Sequence, residues 1–163
     1  MIILKKCLMC DNKHHAKGYC RKHYDEYIRI RNNKEVKEYF KQLNIPYEKL
    51  DPEMINVIYK LNKLDIKTRN CCIGHNKFSF YIQFQSDLED NKIYNLMENL
   101  MKIEYKDNTI PRFEVKKWGR KLDNKMQYHW CLKLYGDFSK LENNLIAIKD
   151  ICKVLNNYKI MYI

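Results

Sequence analysis

Two short-spaced pairs near the start of the chain have the residue types of a metal clip. Cys7-Leu-Met-Cys10 sets two thiols two residues apart, and Cys20-Arg-Lys-His23 sets a thiol and an imidazole at the same spacing nine residues later. Zinc takes four soft or borderline donors in a tetrahedron, and two such pairs bring four donors together with little strain. Gly18, just before the second pair, permits a tight turn there. Residues 1–24 hold too little apolar bulk to fold alone, so a bound metal would supply the missing folding energy. Spacing alone leaves open whether His14 or His15 replaces one of the four, and chance clustering is the bland alternative. A closed four-ligand site has no open position, so it would act as a clip that presents Lys22 and the following helix rather than as a reactive centre.

A second chemical cluster is Thr68-Arg-Asn-Cys-Cys-Ile-Gly-His75. Cys72 and His75 could act as nucleophile and base, since the thiolate is the reactive form of cysteine. They also have the spacing of a zinc pair, which His129 and Cys131 could complete, since alternation puts those two on one strand face opposite Trp130. The simpler alternative makes Cys71 or Cys72 a small core residue and Gly74-His75 a turn.

A third segment, Arg112-Phe-Glu-Val-Lys-Lys-Trp-Gly-Arg-Lys121, interleaves cations with aromatics. Lys116, Lys117, Arg120 and Arg112 suit phosphates, and an exposed Trp118 suits stacking on an unpaired base. Trp118 and Phe113 could equally be core residues. If Phe113 and Val115 face inward, Lys116 and Trp118 face outward. The whole chain of 163 residues carries a formal charge of +11, concentrated in residues 5–41 and 112–125. Two separated basic segments suit an extended polyanion better than a small substrate, although Lys-rich faces also serve solubility.

The elements that must position these groups follow from periodicity. Tyr24, Tyr27, Ile28, Val36, Tyr39 and Phe40 recur at helical spacing, predicting one charged helix from Tyr24 to about Leu43, stopped by Asn44-Ile-Pro46. Asp51-Pro52-Glu53 reads as a helix start with a capping carboxylate, and Ile55, Ile58, Leu61 and Leu64 form its apolar face. Strands follow over Ile66–Cys72 and Lys77–Gln85, the second marked by alternating Phe78, Phe80, Ile82 and Phe84. Ser86-Asp-Leu-Glu89 has capping-box spacing for a helix to about Ile103. Strands near Ile110–Trp118 and Met126–Tyr135 flank a charged turn at Leu122-Asp-Asn124. Ser139-Lys-Leu-Glu142 repeats the capping-box spacing before a helix to about Asn156, and a last strand spans Tyr158–Ile163.

The expected fold class is therefore α+β: a zinc module and basic helix over residues 1–45, then a domain over 46–163. That domain has the order α-β-β-α-β-β-α-β, a mostly antiparallel sheet with helices on one face. Seven cysteines, no apolar run near the roughly 20 residues that span a bilayer, and an opening Met1-Ile-Ile-Leu4 too short for a signal core predict a reducing, cytoplasmic setting and no membrane partner.

The run His15-Ala-Lys-Gly-Tyr-Cys-Arg-Lys-His-Tyr24 resembles the small zinc module of bacteriophage proteins, which accompanies HNH homing-type endonucleases or stands as a short DNA-binding unit. The resemblance covers residues 7–31, with Ala16, Gly18, Cys20, His23 and Tyr24 matching. It implies Cys7, Cys10, Cys20 and His23 as ligands, His14 and His15 in the loop between pairs, and nucleic-acid contact by the helix bearing Arg29 and Arg31. No HNH motif follows, so nuclease activity is not implied. The second cluster resembles a Ser-Cys-Ser-Gly-His motif of small phage and bacterial domains. More distantly it is similar to the wybutosine-pathway tRNA methyltransferases. There Cys72 and Gly74 match, His75 replaces Arg, Ile73 replaces the second Ser, and Arg112-Phe-Glu114 echoes a later segment. No Gly-rich cofactor loop accompanies that similarity.

These readings lead to a small, phage-encoded, zinc-containing protein that binds DNA or RNA in the host cytoplasm. Two alternatives stand beside it. One is an enzyme acting on RNA or a nucleotide through Cys72 and His75 with Arg112. The other is a counter-defence inhibitor of a host nuclease complex, for which the positive charge disfavours nucleic-acid mimicry.

Overall fold

The computed structural model describes residues 7, 12–13, 15–16, 19–75, 77–102, 113–134 and 140–158. Within them the chain forms α1 (Arg21–Arg31), α2 (Lys34–Gln42), a single 3-10 turn (Tyr47–Lys49), α3 (Pro52–Lys63), β1 (Thr68–Cys72) and β2 (Tyr81–Phe84). Then come α4 (Asp90–Met101), β3 (Phe113–Leu122), β4 (Lys125–Leu134) and α5 (Leu141–Asn156). The expected α+β class holds, and from α3 to α5 the order is as read from periodicity. The strand expected over Tyr158–Ile163 lies outside the described residues, apart from Tyr158.

The four strands form one antiparallel sheet in the order β1-β2-β4-β3. Cross-strand partners project to the same side of a sheet. Cys71, Ile82, Leu132 and Val115 therefore share one face, and Cys72, Tyr81, Lys133 and Glu114 share the other. The first face meets the helices in one continuous core that runs from Val36 and Phe40 of α2, through Met54, Ile58 and Leu61 of α3, to Leu96 of α4 and Ile151 of α5. Cys7, Tyr19 and Cys20, with Tyr24 and Tyr27 against them, form a separate small cluster. The expected division at residue 45 thus falls after α2, whose apolar residues join the larger core.

Several local expectations change for identifiable reasons. The single helix from Tyr24 to Leu43 is two helices, broken at Asn32-Asn33. The Asn33 side chain accepts from Val36 N and starts α2, the competition with continuous helix that Asn offers. The Tyr47 hydroxyl donates to the carbonyls of Ile30 and Arg31 at 3.3 and 2.7 Å, satisfying the end of α1. The strand expected over Lys77–Gln85 shortens to Tyr81–Phe84, because the Phe78 carbonyl and the Phe80 N–H are bonded to Asn144. The capping box at Ser86–Glu89 does not form. Leu88 N closes a turn onto Gln85 O, and α4 begins at Asp90 without a side-chain cap. Asp51 does stand before α3, with Pro52 in the first turn, but its side chain does not cap the helix.

Candidate functional site

Cys20 occupies the N-cap of α1 and His23 the third helical position, a spacing that brings N-cap and N3 side chains together as in a capping box. The pair closes on a thiol delivered from Cys7. Cys7 Sγ lies 3.3 Å from His23 Nδ1, and Cys20 Sγ lies 3.5 Å from the same nitrogen. Two ligands sharing one tetrahedral zinc, at the usual Zn–S and Zn–N lengths, stand about 3.5 Å apart. All three donors lie within 4.8 Å of one another, and both thiols are buried. They form a Cys/His cluster able to hold a metal ion. Cys10, His14 and Gly18 lie outside the described residues. His15 is exposed, its ring edge-on to Tyr24 at 5.6 Å, and stands apart from the three donors.

Just ahead of Cys20, Ala16 and Tyr19 exchange two backbone hydrogen bonds. Tyr19 then fastens the cluster to α3: its buried hydroxyl donates to Glu53 Oε1 at 2.8 Å. Burial and the Glu53 carboxylate push that hydroxyl far above the ordinary tyrosine range. Along α1, Lys22 and Arg29 are exposed on one stripe, but Asp25 and Glu26 lie between them at helical spacing. Arg21 pairs with Asp25, and the half-buried Arg31 donates to the Tyr27 hydroxyl at 3.2 Å.

At the second cluster, Cys72 and His75 meet a residue the sequence reading assigned to capping. Asp51 Oδ1 lies 3.0 Å from His75 Nε2, while Asp51 Oδ2 accepts from Ile73 N at 2.8 Å. Asp51, Cys72 and His75 bring their donor atoms within 4.8 Å of one another. Among the described residues no hydrogen bond joins Cys72 Sγ to His75. Burial pushes the Cys72 thiol up, the Gly74 N–H opposes it, and the nearby Asp51 carboxylate adds a smaller rise, so this thiol is held in its less nucleophilic form. Cys71 faces the core, where burial pushes it to about 12.

His129 and Cys131 do not complete this set. His129 is 1% exposed, and its Nε2 accepts from Arg69 Nη1 at 3.0 Å, Arg69 being the extra residue of a bulge in β1. Cys131 pairs with Gln83 and Lys116, in a different cross-strand row from Cys72 and Tyr81. A bulge is visible only once strands are paired, which is why Arg69 carried no signal in the sequence. Asp51 was legible as a carboxylate before Pro52, but not as a partner of a loop more than twenty residues away.

The basic segment runs along the first strand of a hairpin of two ten-residue strands, whose turn residues, Asp123 and Asn124, both have positive φ. Such a pair suits the two-residue turn that matches strand twist. Phe113 and Val115 pack on the core, while Trp118 is 44% exposed on the opposite side, as alternation required. Beyond the core the ribbon is solvated on both faces. Lys116, Trp118 and Arg120 lie on one, and Lys117, Lys121, Met126 and Tyr128 on the other. Met126 and Tyr128 are each 51% exposed and lie across Gly119, where an added Cβ would meet their side chains at 2.6 and 3.0 Å. Lys117 bridges the ribbon to α4, its Nζ 2.8 Å from both oxygens of Asp90, which also accepts from Trp130 Nε1 at 2.8 Å. Lys116 pairs with Glu114 at 2.6 Å. Arg112 lies outside the described residues. No described helix is long and apolar enough to cross a membrane.

Fold and site together define an α+β protein with a small Cys/His cluster fastened to one side and a basic, aromatic ribbon extending from its sheet. The sequence model of the YoqC prophage protein family matches residues 37–161, and the chain belongs to that family. No curated protein and no solved structure matches it.

Proposed function

We propose that this prophage-family protein is a zinc-containing nucleic-acid-binding protein that acts in the host cytoplasm and contacts its ligand chiefly through the β3–β4 ribbon. The observation that carries this reading is the solvated outer half of the hairpin. Residues 116–128 hold five Lys or Arg against one Asp, together with the half-exposed Trp118, Met126 and Tyr128. A two-stranded ribbon fits a major groove about 12 Å wide, and an exposed tryptophan beside lysines equally suits an unpaired base. Helix α1 supplies Lys22 and Arg29 as supporting cations, weakened by the acids between them. At the amino-terminal cluster, two buried thiols and an imidazole favour zinc over a harder ion, with Cys10 as the fourth ligand. Such a site would hold residues 7–31 in shape and take no part in chemistry.

Fluorescence anisotropy with labelled duplex and single-stranded oligonucleotides, at about 50 and 200 mM salt, tests the reading. Binding should weaken steeply with salt, and Arg120→Ala should lower the slope of log K against log salt by about one. Trp118→Ala should weaken single-strand binding by about 1–3 kcal/mol while leaving folding intact. No binding to either form at low salt overturns the proposal.

A further inference from the structure

We propose that Asp51, Cys72 and His75 form a second metal site, which takes a borderline divalent cation of the zinc type on three protein donors and leaves one position open to water. The donor set has the right chemistry: a thiol, an imidazole and a carboxylate, the three ligand types that zinc accepts. Cys72-x-x-His75 repeats the spacing of Cys20-x-x-His23, here built on a strand end and a turn instead of a helix start. The three donor atoms already lie within 4.8 Å of one another, and Asp51 Oδ1 and His75 Nε2 are 3.0 Å apart. A tetrahedral ion needs edges of about 3.5 Å, so closure asks for no donor separation to shrink by more than about 1.3 Å. The His75 side chain, 58% exposed, is free of core packing and can make it.

The surroundings hold the donors as outer partners hold ligands in metal sites. Gly74 N–H points at Cys72 Sγ at 3.4 Å, a bond that favours a metal-bound thiolate. Gly74 has φ +92°, and a Cβ there would lie 2.0 Å from the Phe78 carbonyl oxygen, so the turn that carries His75 needs glycine. Asn144, fully buried on α5, donates to the carbonyls of Ile73 and Phe78 and accepts from Phe80 N, pinning the loop on both sides. Asp51 spends one oxygen on Ile73 N and keeps the other toward His75. A carboxylate beside a thiol repels it once ionised, and a divalent cation between them converts that repulsion into two bonds.

The two clusters differ in openness. At the amino-terminal one both thiols are buried, whereas here His75 is exposed and no fourth Cys, His, Asp or Glu donor joins among the described residues. Three protein ligands with a solvent-facing fourth position is the pattern of sites that bind water or an exchangeable ligand. Both clusters are also tied to one turn of the fold: Asp51 reaches His75, and Glu53, two residues on, accepts from Tyr19.

The test loads the metal-free full chain with excess Co2+, removes unbound ion by gel filtration, and measures metal per chain with the visible absorption spectrum. Wild type should retain two equivalents with thiolate-to-cobalt charge transfer. Cys72→Ser and His75→Ala should each lose one equivalent, and Cys20→Ser should lose the other. His75→Ala is decisive because its exposed side chain contributes little to folding, which circular dichroism will verify. A His75→Ala protein that retains as much Co2+ as wild type overturns the proposal, whatever the oligonucleotide measurements show.

Discussion

Asn144 is the most deeply buried polar residue among the described residues, and replacing it tests how the His75 loop is held. Its side chain is fully buried and makes three bonds outside its own helix: to Ile73 O at 2.8 Å, to Phe78 O at 3.2 Å, and from Phe80 N at 2.9 Å. Each bond contributes about 1 kcal/mol net, and each group left buried without a partner costs about 1–3 kcal/mol. Asn144→Ala should therefore destabilise the protein by about 3–5 kcal/mol, a large share of the 5–15 kcal/mol typical of a domain. Asn144→Leu separates the causes. It refills the space, so if cavity formation were the main cost it would restore most of the stability, whereas lost hydrogen bonds would leave the deficit in place. Urea unfolding monitored by tryptophan fluorescence gives both values. Amide exchange at Phe80 should accelerate in both variants, since its N–H loses its acceptor. A loss below about 1 kcal/mol in Asn144→Ala, or recovery to within that margin in Asn144→Leu, would refute the argument.

Gly74→Ala should cost more than about 3 kcal/mol, because positive φ and a 2.0 Å approach to a backbone oxygen cannot both be relieved by side-chain motion; thermal unfolding reads this. Hydrogen bonds from Lys117 and then from Trp130 hold the Asp90 carboxyl below the usual carboxylate range. The unfolded chain thus binds the proton more readily, so this contribution is present above the unfolded value near 3.8 and fades as pH falls through the folded one. The Asp90 side chain is 45% exposed, so Asp90→Asn should cost less than about 1 kcal/mol at neutral pH and flatten the acid limb of a stability–pH profile. Cys20→Ser, or chelation, should disorder the small cluster around Tyr19 while shifting unfolding of the main core by no more than about 2 kcal/mol, because the two apolar clusters are separate; amide exchange in α1 against α3 distinguishes them.

The sequence by itself determined the element types and most of the partition of chemistry. Alternation at Phe78, Phe80, Ile82 and Phe84 and the helical stripe at Ile55, Ile58, Leu61 and Leu64 are local periodicities; six of these eight side chains are buried, Leu64 is half-buried, and Phe78, ahead of the shortened strand, is exposed. The Cys20-x-x-His23 pair was equally legible, since three residues along a helix start bring side chains together without help from the rest of the chain. Helix and strand ends were less so. The break at Asn32-Asn33 depended on the Asn33 side chain taking the Val36 N–H, and the missing capping box at Ser86 on a backbone turn of Leu88 onto Gln85. Only the tertiary structure decided that Asp51 serves His75 instead of capping α3, that Arg69 reaches His129 across a bulge, and that Lys117 pairs with Asp90 of α4. Each of these joins residues at least twenty-four positions apart. Such pairings depend on strand order and register, and the spacing of residues along the chain carries no information about either.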